Sequence, residues 1–349
     1  MAARVALISP FASPSVRGNA VTVERIARGL RARGVELRLW DLSAVPEPSL
    51  EHQVGQYAPT LIHAFHAFRT GPLALRLARR AEIPLVVTIT GTDANHDLFD
   101  PERAAVVRRV LEGAASITVF DPSIMARIAQ ALPDVAARIA VVPQSAVFEG
   151  GDAAWPTAAA LTRAPGPILL FSAGIRPVKN PRFPLAPLDG LMATYPTLQL
   201  LYAGPILDPP EGEALLRALQ SRPWARHLGA IPHPRMHALL EASDVALNCS
   251  ESEGGMANSV LEALALGRVV LASNIEGNRS LVEDGVTGFL FDTPEEFAAK
   301  CDRLLGNPAL RERLGKAGRE RVNARFTPAQ ELDGYLAVYG RLDPALRPA

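Results

Sequence analysis

Residues 245–267, VALNCSESEGGMANSVLEALALG, constrain the chain more than any other stretch. A short apolar run, 245–247, ends in Asn248, Cys249 and Ser250, followed by an acidic residue, a double glycine and an amphipathic segment. That pattern predicts a buried strand, a tight loop and a helix N-terminus. Gly254 and Gly255 take side chains away where the backbone must turn, so the amides of the loop and first helical turn can face a bound anion. Ser259 and Glu262 have the spacing of a capping box, and Val260, Leu261, Leu264 and Ala265 form an apolar stripe of helical period. A helix is therefore expected to start near Asn258 or Ser259. Its positive end points back at Gly254, Met256, Ala257 and Asn258, with Glu253 before the loop and Glu262 in the first turn. Two carboxylates would flank one phosphate-sized pocket.

The same alternation runs through the rest of the chain. Strand-like runs are expected at 5–9, 36–40, 61–65, 85–90, 116–120 and 139–142, and again at 168–173, 198–203, 224–230, 269–272 and 286–291. Helical patterns lie between them, so the fold class is α/β with parallel sheets. At 349 residues the chain exceeds one ordinary core, and 149–167 is rich in Gly, Ala and Pro with little periodicity. This predicts a domain over 1–150, a linker over 151–166, a second domain over 167–326 and a closing helical segment in 327–349.

Thirty-six basic and thirty-six acidic residues cancel, which argues against a nucleic-acid partner. Cys249 and Cys301 have no metal-like spacing and are expected to be reduced thiols of a cytoplasmic protein. No apolar run approaches the roughly 20 residues of a membrane span, leaving room only for peripheral membrane contact.

Other polar clusters fall at expected strand tips. Arg176 and Lys179, in GIRPVKNP, are three apart after the strand of 168–173 and can converge on one diphosphate, a planar fork and a point charge. Taken alone they read better as solvated surface cations. Gly18, after Arg17, fits a helix entry. His66 fits a packed residue at a strand end, and Asp93 in GTDANHD fits an Asx turn or N-cap. Asp93, Asn95 and Asp97 lack the Gly and Glu that an EF-hand requires.

Glu253, the glycine loop, Glu262-Ala263-Leu264 and the GIRPVKNP segment together resemble retaining glycosyltransferases of family 4. GNAVT, GTDANHD and PVKNP resemble the glycosyltransferase 1 domain-containing proteins and, more distantly, the selenosugar synthases. The resemblance implies a GT-B fold of two facing Rossmann-like domains. It also implies transfer of a sugar from a nucleoside diphosphate donor, a UDP-sugar, to an unidentified acceptor, with no cofactor and no metal. Glu253 would lie against the donor sugar, with Arg176 and Lys179 on the leaving diphosphate. The amides of Gly254, Gly255, Met256, Ala257, Asn258 and Ser259 would hold the diphosphate, and Glu262 the ribose. Gly18 would touch a donor phosphate, Ile231 the base, and Asp93, Asn95 and His66 the acceptor or sugar.

Three positions depart from the family pattern. Eight residues separate Glu253 from Glu262 where seven are usual, no histidine stands near Thr90, and Gln144 replaces an asparagine. Sugar nucleotide epimerases, phosphorylases and a non-catalytic nucleotide-sugar-binding protein are the alternative readings. A dinucleotide dehydrogenase is disfavoured, because no G-x-G-x-x-G follows a first strand.

Overall fold

A computed structural model describes residues 3–13, 15, 18–146 and 166–347. Most of the expected linker, 151–166, and Arg17 lie outside the described residues. The chain divides into two compact units, one of Met1–Ser145 with Thr327–Ala349 and one of Ala146–Phe326.

The first unit holds a parallel sheet of β1 (Arg4–Ser9), β2 (Glu36–Asp41), β3 (Leu61–Phe65), β4 (Leu85–Thr88), β5 (Ser116–Val119) and β6 (Ile139–Val141) in the order β2-β1-β3-β4-β5-β6. The second holds β7 (Ile168–Ser172), β8 (Gln199–Ala203), β9 (Ala225–His227), β10 (Val245–Asn248), β11 (Val269–Ser273) and β12 (Phe289–Phe291), also parallel, in the order β12-β11-β10-β7-β8-β9. Helices on both faces explain why the strands read as continuous apolar runs rather than alternating ones. In β1, Ala6 and Ile8 join a core with Leu73 and Val107, while Val5 and Leu7 point the other way into a core with Ile26, Tyr335 and Tyr339. Strands are shorter than the apolar runs suggest. The run at 224–230 yields only Ala225–His227, and Gly229 follows at a φ of +77°.

Tyr335 and Tyr339 come from the final helix, Pro328–Leu342, which packs on the first unit's sheet. Its start is fixed by a reciprocal capping box between Thr327 and Gln330. Behind it, Glu331 is 1 % exposed and takes both Arg25 Nε (3.0 Å) and Nη2 (2.8 Å), with Ser145 Oγ donating at 2.6 Å. A buried carboxylate held by a planar fork and a hydroxyl ties the two ends of this unit together. Among the described residues no helix is long and apolar enough to cross a membrane.

A buried polar chain crosses the same core. His63 on β3 joins Tyr339 Oη through Nδ1 and Thr88 Oγ1 through Nε2, both at 2.6 Å, and Thr88 meets Thr118 on β5 at 2.5 Å. Burial pushes the His63 imidazole down from its ordinary 6.5 to about 3, so it is neutral in the folded chain. Unfolded, the ring takes a proton near 6.5; folded, it refuses one until about 3. Its contribution to stability is therefore full above that ordinary value and is lost as pH falls through this window, at about 1.4 kcal/mol per pH unit. Urea unfolding of the protein and of His63→Gln between pH 7 and 4.5 should give curves that converge on acidification. Parallel pH dependences would show that His63 does not control the acid limb.

Candidate functional site

From β7 the chain runs to β8 and β9 on one side, while β10, β11 and β12 occupy the other. The loops after β7 and β10 therefore diverge at the carboxyl ends of two adjacent strands, paired from Val245↔Leu169 to Leu247↔Phe171. Doubly wound sheets place ligands at such a switch point. The loop after β7 contains a single 3₁₀ turn, Pro177–Lys179, and Val178 O accepts the Glu251 amide at 2.9 Å, which joins it to the loop after β10.

Lys179 Nζ donates to Glu253 Oε1 across this join, with side chains 14 % and 10 % exposed. Ser250 Oγ (2.7 Å) and Asn248 Nδ2 (3.2 Å) donate to the same oxygen. Burial alone would raise the Glu253 carboxyl, but the Lys179 charge and the hydrogen bonds from Lys179, Ser250 and Asn248 outweigh it and hold the group below its ordinary value. Glu253 is accordingly a carboxylate. A further layer fixes its partners: Asn248 Oδ1 accepts from Ser250 N (3.1 Å) and from Asn278 Nδ2 (3.3 Å), and Ser273 Oγ donates to Ser250 O (2.5 Å). These braces were missed in the sequence, although polar residues closing an apolar strand run, as in Asn248-Cys249-Ser250, were a signal.

The helix spans Asn258–Ala265, starting where expected, but the capping box does not form. Ala257 is the N-cap, so Ser259 and Glu262 stand inside the helix. Asn248 Nδ2 reaches Ser259 Oγ at 3.5 Å, and Glu262 Oε1 is bonded to His233 Nε2 at 2.8 Å. The N-cap residue Ala257 makes no side-chain cap, and the helix's positive end faces the chain entering from the 254–257 loop. In that loop Gly255 has a φ of +118°, which only glycine adopts readily. Met256 and Ala257 are buried beside it. From the next loop, Gly277 presses so closely that a Cβ would lie 2.1 Å from Gly255 O and 2.6 Å from Glu253 Cβ.

Ile231 is half-buried in the segment after β9, two residues before His233. The His233–Glu262 bond thus draws that segment to the helix face. His233 was not recognised in the sequence, because its partner lies 29 residues away. Arg176 precedes the Pro177–Lys179 turn in extended backbone, on the same strand-end loop as Lys179.

The other expected contacts lie in the first unit. Gly18 opens the Gly18–Ala32 helix, and Asn19 Nδ2 donates to Thr90 Oγ1 at 3.4 Å. Asp93 begins a π-helical turn, Asp93–Asp97, and is fully buried. Its carboxylate accepts from the amides of Ala67 (2.9 Å), Thr90 (3.1 Å) and Gly91 (2.7 Å). Such a carboxylate shapes the loop and is not presented as a ligand contact, so the Asx reading describes it. Asn95 Oδ1 accepts from Arg127. His66, 2 % exposed, follows the last residue of β3 at a φ of +82° and is bonded through Nε2 to Thr92 Oγ1 at 3.0 Å.

Residues 159–321 match the family model Glycosyl transferases group 1, and 39–144 match the Glycosyl transferase 4-like domain. D-inositol 3-phosphate glycosyltransferase of Frankia alni is 30 % identical over 294 residues, 77 % of this chain and 71 % of that protein. The chain belongs to the glycosyl transferases group 1 family. Glycosyltransferase 1 domain-containing protein 1 of Xenopus tropicalis is a second relative of this group 1 enzyme, 27 % identical over 91 % of the chain and 92 % of its own length. Among solved structures, Anabaena HepE in complex with UDP and glucose superposes with a TM-score of 0.78 at 15 % identity, covering 97 % of this chain and all of that one. The fold is thus GT-B-like, and the protein is a glycosyltransferase.

In this glycosyltransferase Gly277→Ala should force the 253–255 backbone aside. We expect a loss of about 1–3 kcal/mol in stability, read by urea unfolding. Unaltered stability would mean that the loop tolerates displacement.

Proposed function

We propose that this group 1 glycosyltransferase moves a sugar from a UDP-sugar to its acceptor with retention of anomeric configuration. The observation that carries the reading is the Lys179–Glu253 pair, set beside a helix N-terminus at the switch point of the second sheet. HepE, solved with UDP and glucose, supports a uridine donor. An ammonium has three donors, so Lys179 bound to Glu253 keeps two for a diphosphate. Arg176 adds a bidentate fork from the same loop, and the amides of 254–259 supply aligned dipoles. Glu253, held ionised, orients the sugar hydroxyls. Glu262, steadied by His233, takes the ribose hydroxyls, and the segment carrying Ile231 meets the base. Gly18 and Asn95 are assigned to the first unit's share of substrate contact, with Asp93 shaping the loop after β4 and His66 holding Thr92 in place.

In the reaction the bond between the sugar's anomeric carbon and the diphosphate oxygen breaks, and its electron pair leaves with the diphosphate. The acceptor nucleophile bonds to the same face, and its proton passes to the departing phosphate oxygen. Charge therefore grows on the diphosphate, where Lys179, Arg176 and the loop amides stand. Preorganised donors of this kind are worth about 3 kcal/mol each. Lys179→Ala should lower kcat by about two to three orders of magnitude, measured as UDP release from UDP-sugars, with the variant still folded by circular dichroism but, because Glu253 loses its partner, with a lowered thermal midpoint. Full turnover in the variant would remove Lys179 from the machinery.

A further inference from the structure

We propose that a cavity of the first unit binds the phosphate monoester of a small acceptor, an assignment that rests on the transfer reaction proposed above. The cavity has a volume of about 330 Å³ and is lined by Phe68, Arg69, Thr92, His96, Asp97 and Arg103. It lies where the chain leaves β3 and β4. Its size is at the lower end of small-molecule sites.

The hydrogen-bond pattern fixes what it presents. The Arg69 amide donates to His66 Nδ1 at 3.3 Å, so that nitrogen is an acceptor and the ring proton of His66 is on Nε2. Nε2 in turn donates to Thr92 Oγ1 at 3.0 Å. Thr92 has thereby accepted its bond and retains its own hydroxyl hydrogen as a donor. Asp97, the carboxylate of the lining, is already engaged by Arg103 Nη1 at 2.9 Å. Arg69 is stacked over Phe11 (5.6 Å) and Arg103 over Phe68 (5.2 Å), rings that set the two guanidinium planes without consuming their N–H groups. Among the described residues no carboxylate pairs with Arg69.

The lining therefore offers two guanidinium groups, a hydroxyl hydrogen and the His96 imidazole against one neutralised acceptor. Donors from both loops suit a tetrahedral dianion with three terminal oxygens better than a flat carboxylate, which one fork satisfies. The His66 backbone is in keeping with this. It is held at a φ of +82° while its amide bonds Thr88 O (2.9 Å) and its carbonyl accepts from Thr70 Oγ1 (3.0 Å). Such strain is concentrated where a side chain must be aimed. His66 acts as a positioning residue that turns the Thr92 hydroxyl toward the ligand.

The test uses the full chain saturated with UDP, so that the donor loops are filled, and follows arginine side-chain NMR signals on titration. Glycerol 3-phosphate should shift the Arg69 and Arg103 resonances to saturation, while glycerol and lactate should not. Arg69→Gln should weaken the ester by about tenfold or more with the UDP affinity and thermal midpoint retained, and Thr92→Val should weaken it by a similar factor with the UDP affinity retained. Unsaturable binding of the ester, equal binding of lactate, or an Arg69→Gln variant with wild-type affinity would overturn the assignment. So would binding to phosphatidic-acid vesicles without binding of the soluble ester. Failure of UDP to bind would sink the donor reading alone, because the ester titration can be completed without it.

Discussion

An ammonium and a carboxylate, both mostly withdrawn from water, meet where the loops after β7 and β10 part. An ion pair in that position is a poor source of stability, since desolvating two charges offsets most of their attraction. Removing either partner, however, strands the other. Lys179 consequently helps to hold Glu253 as a carboxylate, and Asn248 links that carboxylate to Ser259 in the first turn of the helix behind the 254–257 loop. In the proposed reaction the site meets both a diphosphate and a sugar and needs one charge of each sign in fixed places, which this pair would supply.

The surrounding groups serve to keep the pair still. Asn248, Ser250 and Asn278 form a closed set of hydrogen bonds among themselves and with Glu253, linking the ends of β10 and β11. Gly277 allows the next loop to lie against the 253–255 backbone, closing the space into which Glu253 could relax. His233 does for Glu262 what Ser250 and Asn248 do for Glu253. In the first unit, Asp93 shapes a loop by binding three amides, and the arginines around it carry the charge that a ligand would meet.

Much of this was legible in the sequence because it is written in period and glycine. The strand, loop and helix of 245–267 follow from an apolar run, two glycines and a helical stripe. The two sheets follow from the repetition of that pattern. The Ser259–Glu262 spacing misled, since a capping box and two inward-facing helical residues look alike until their partners are known. Those partners, Asn248 and His233, are 11 and 29 residues distant. The shortening of the strands was hidden as well, because an apolar residue past the last ladder bond reads the same as one within it. Arg69 and Arg103 gave no signal at all, as exposed arginines are common and only the fold brings them to one cavity.

The central claim is that the second unit grips its donor by the diphosphate. Calorimetric titration of the protein with UDP, UMP and uridine measures this directly. Two cations and several amides on the diphosphate predict that UDP binds at least about a hundredfold more tightly than uridine, with UMP between them. Uridine binding as tightly as UDP would place the affinity in the nucleoside and contradict the account.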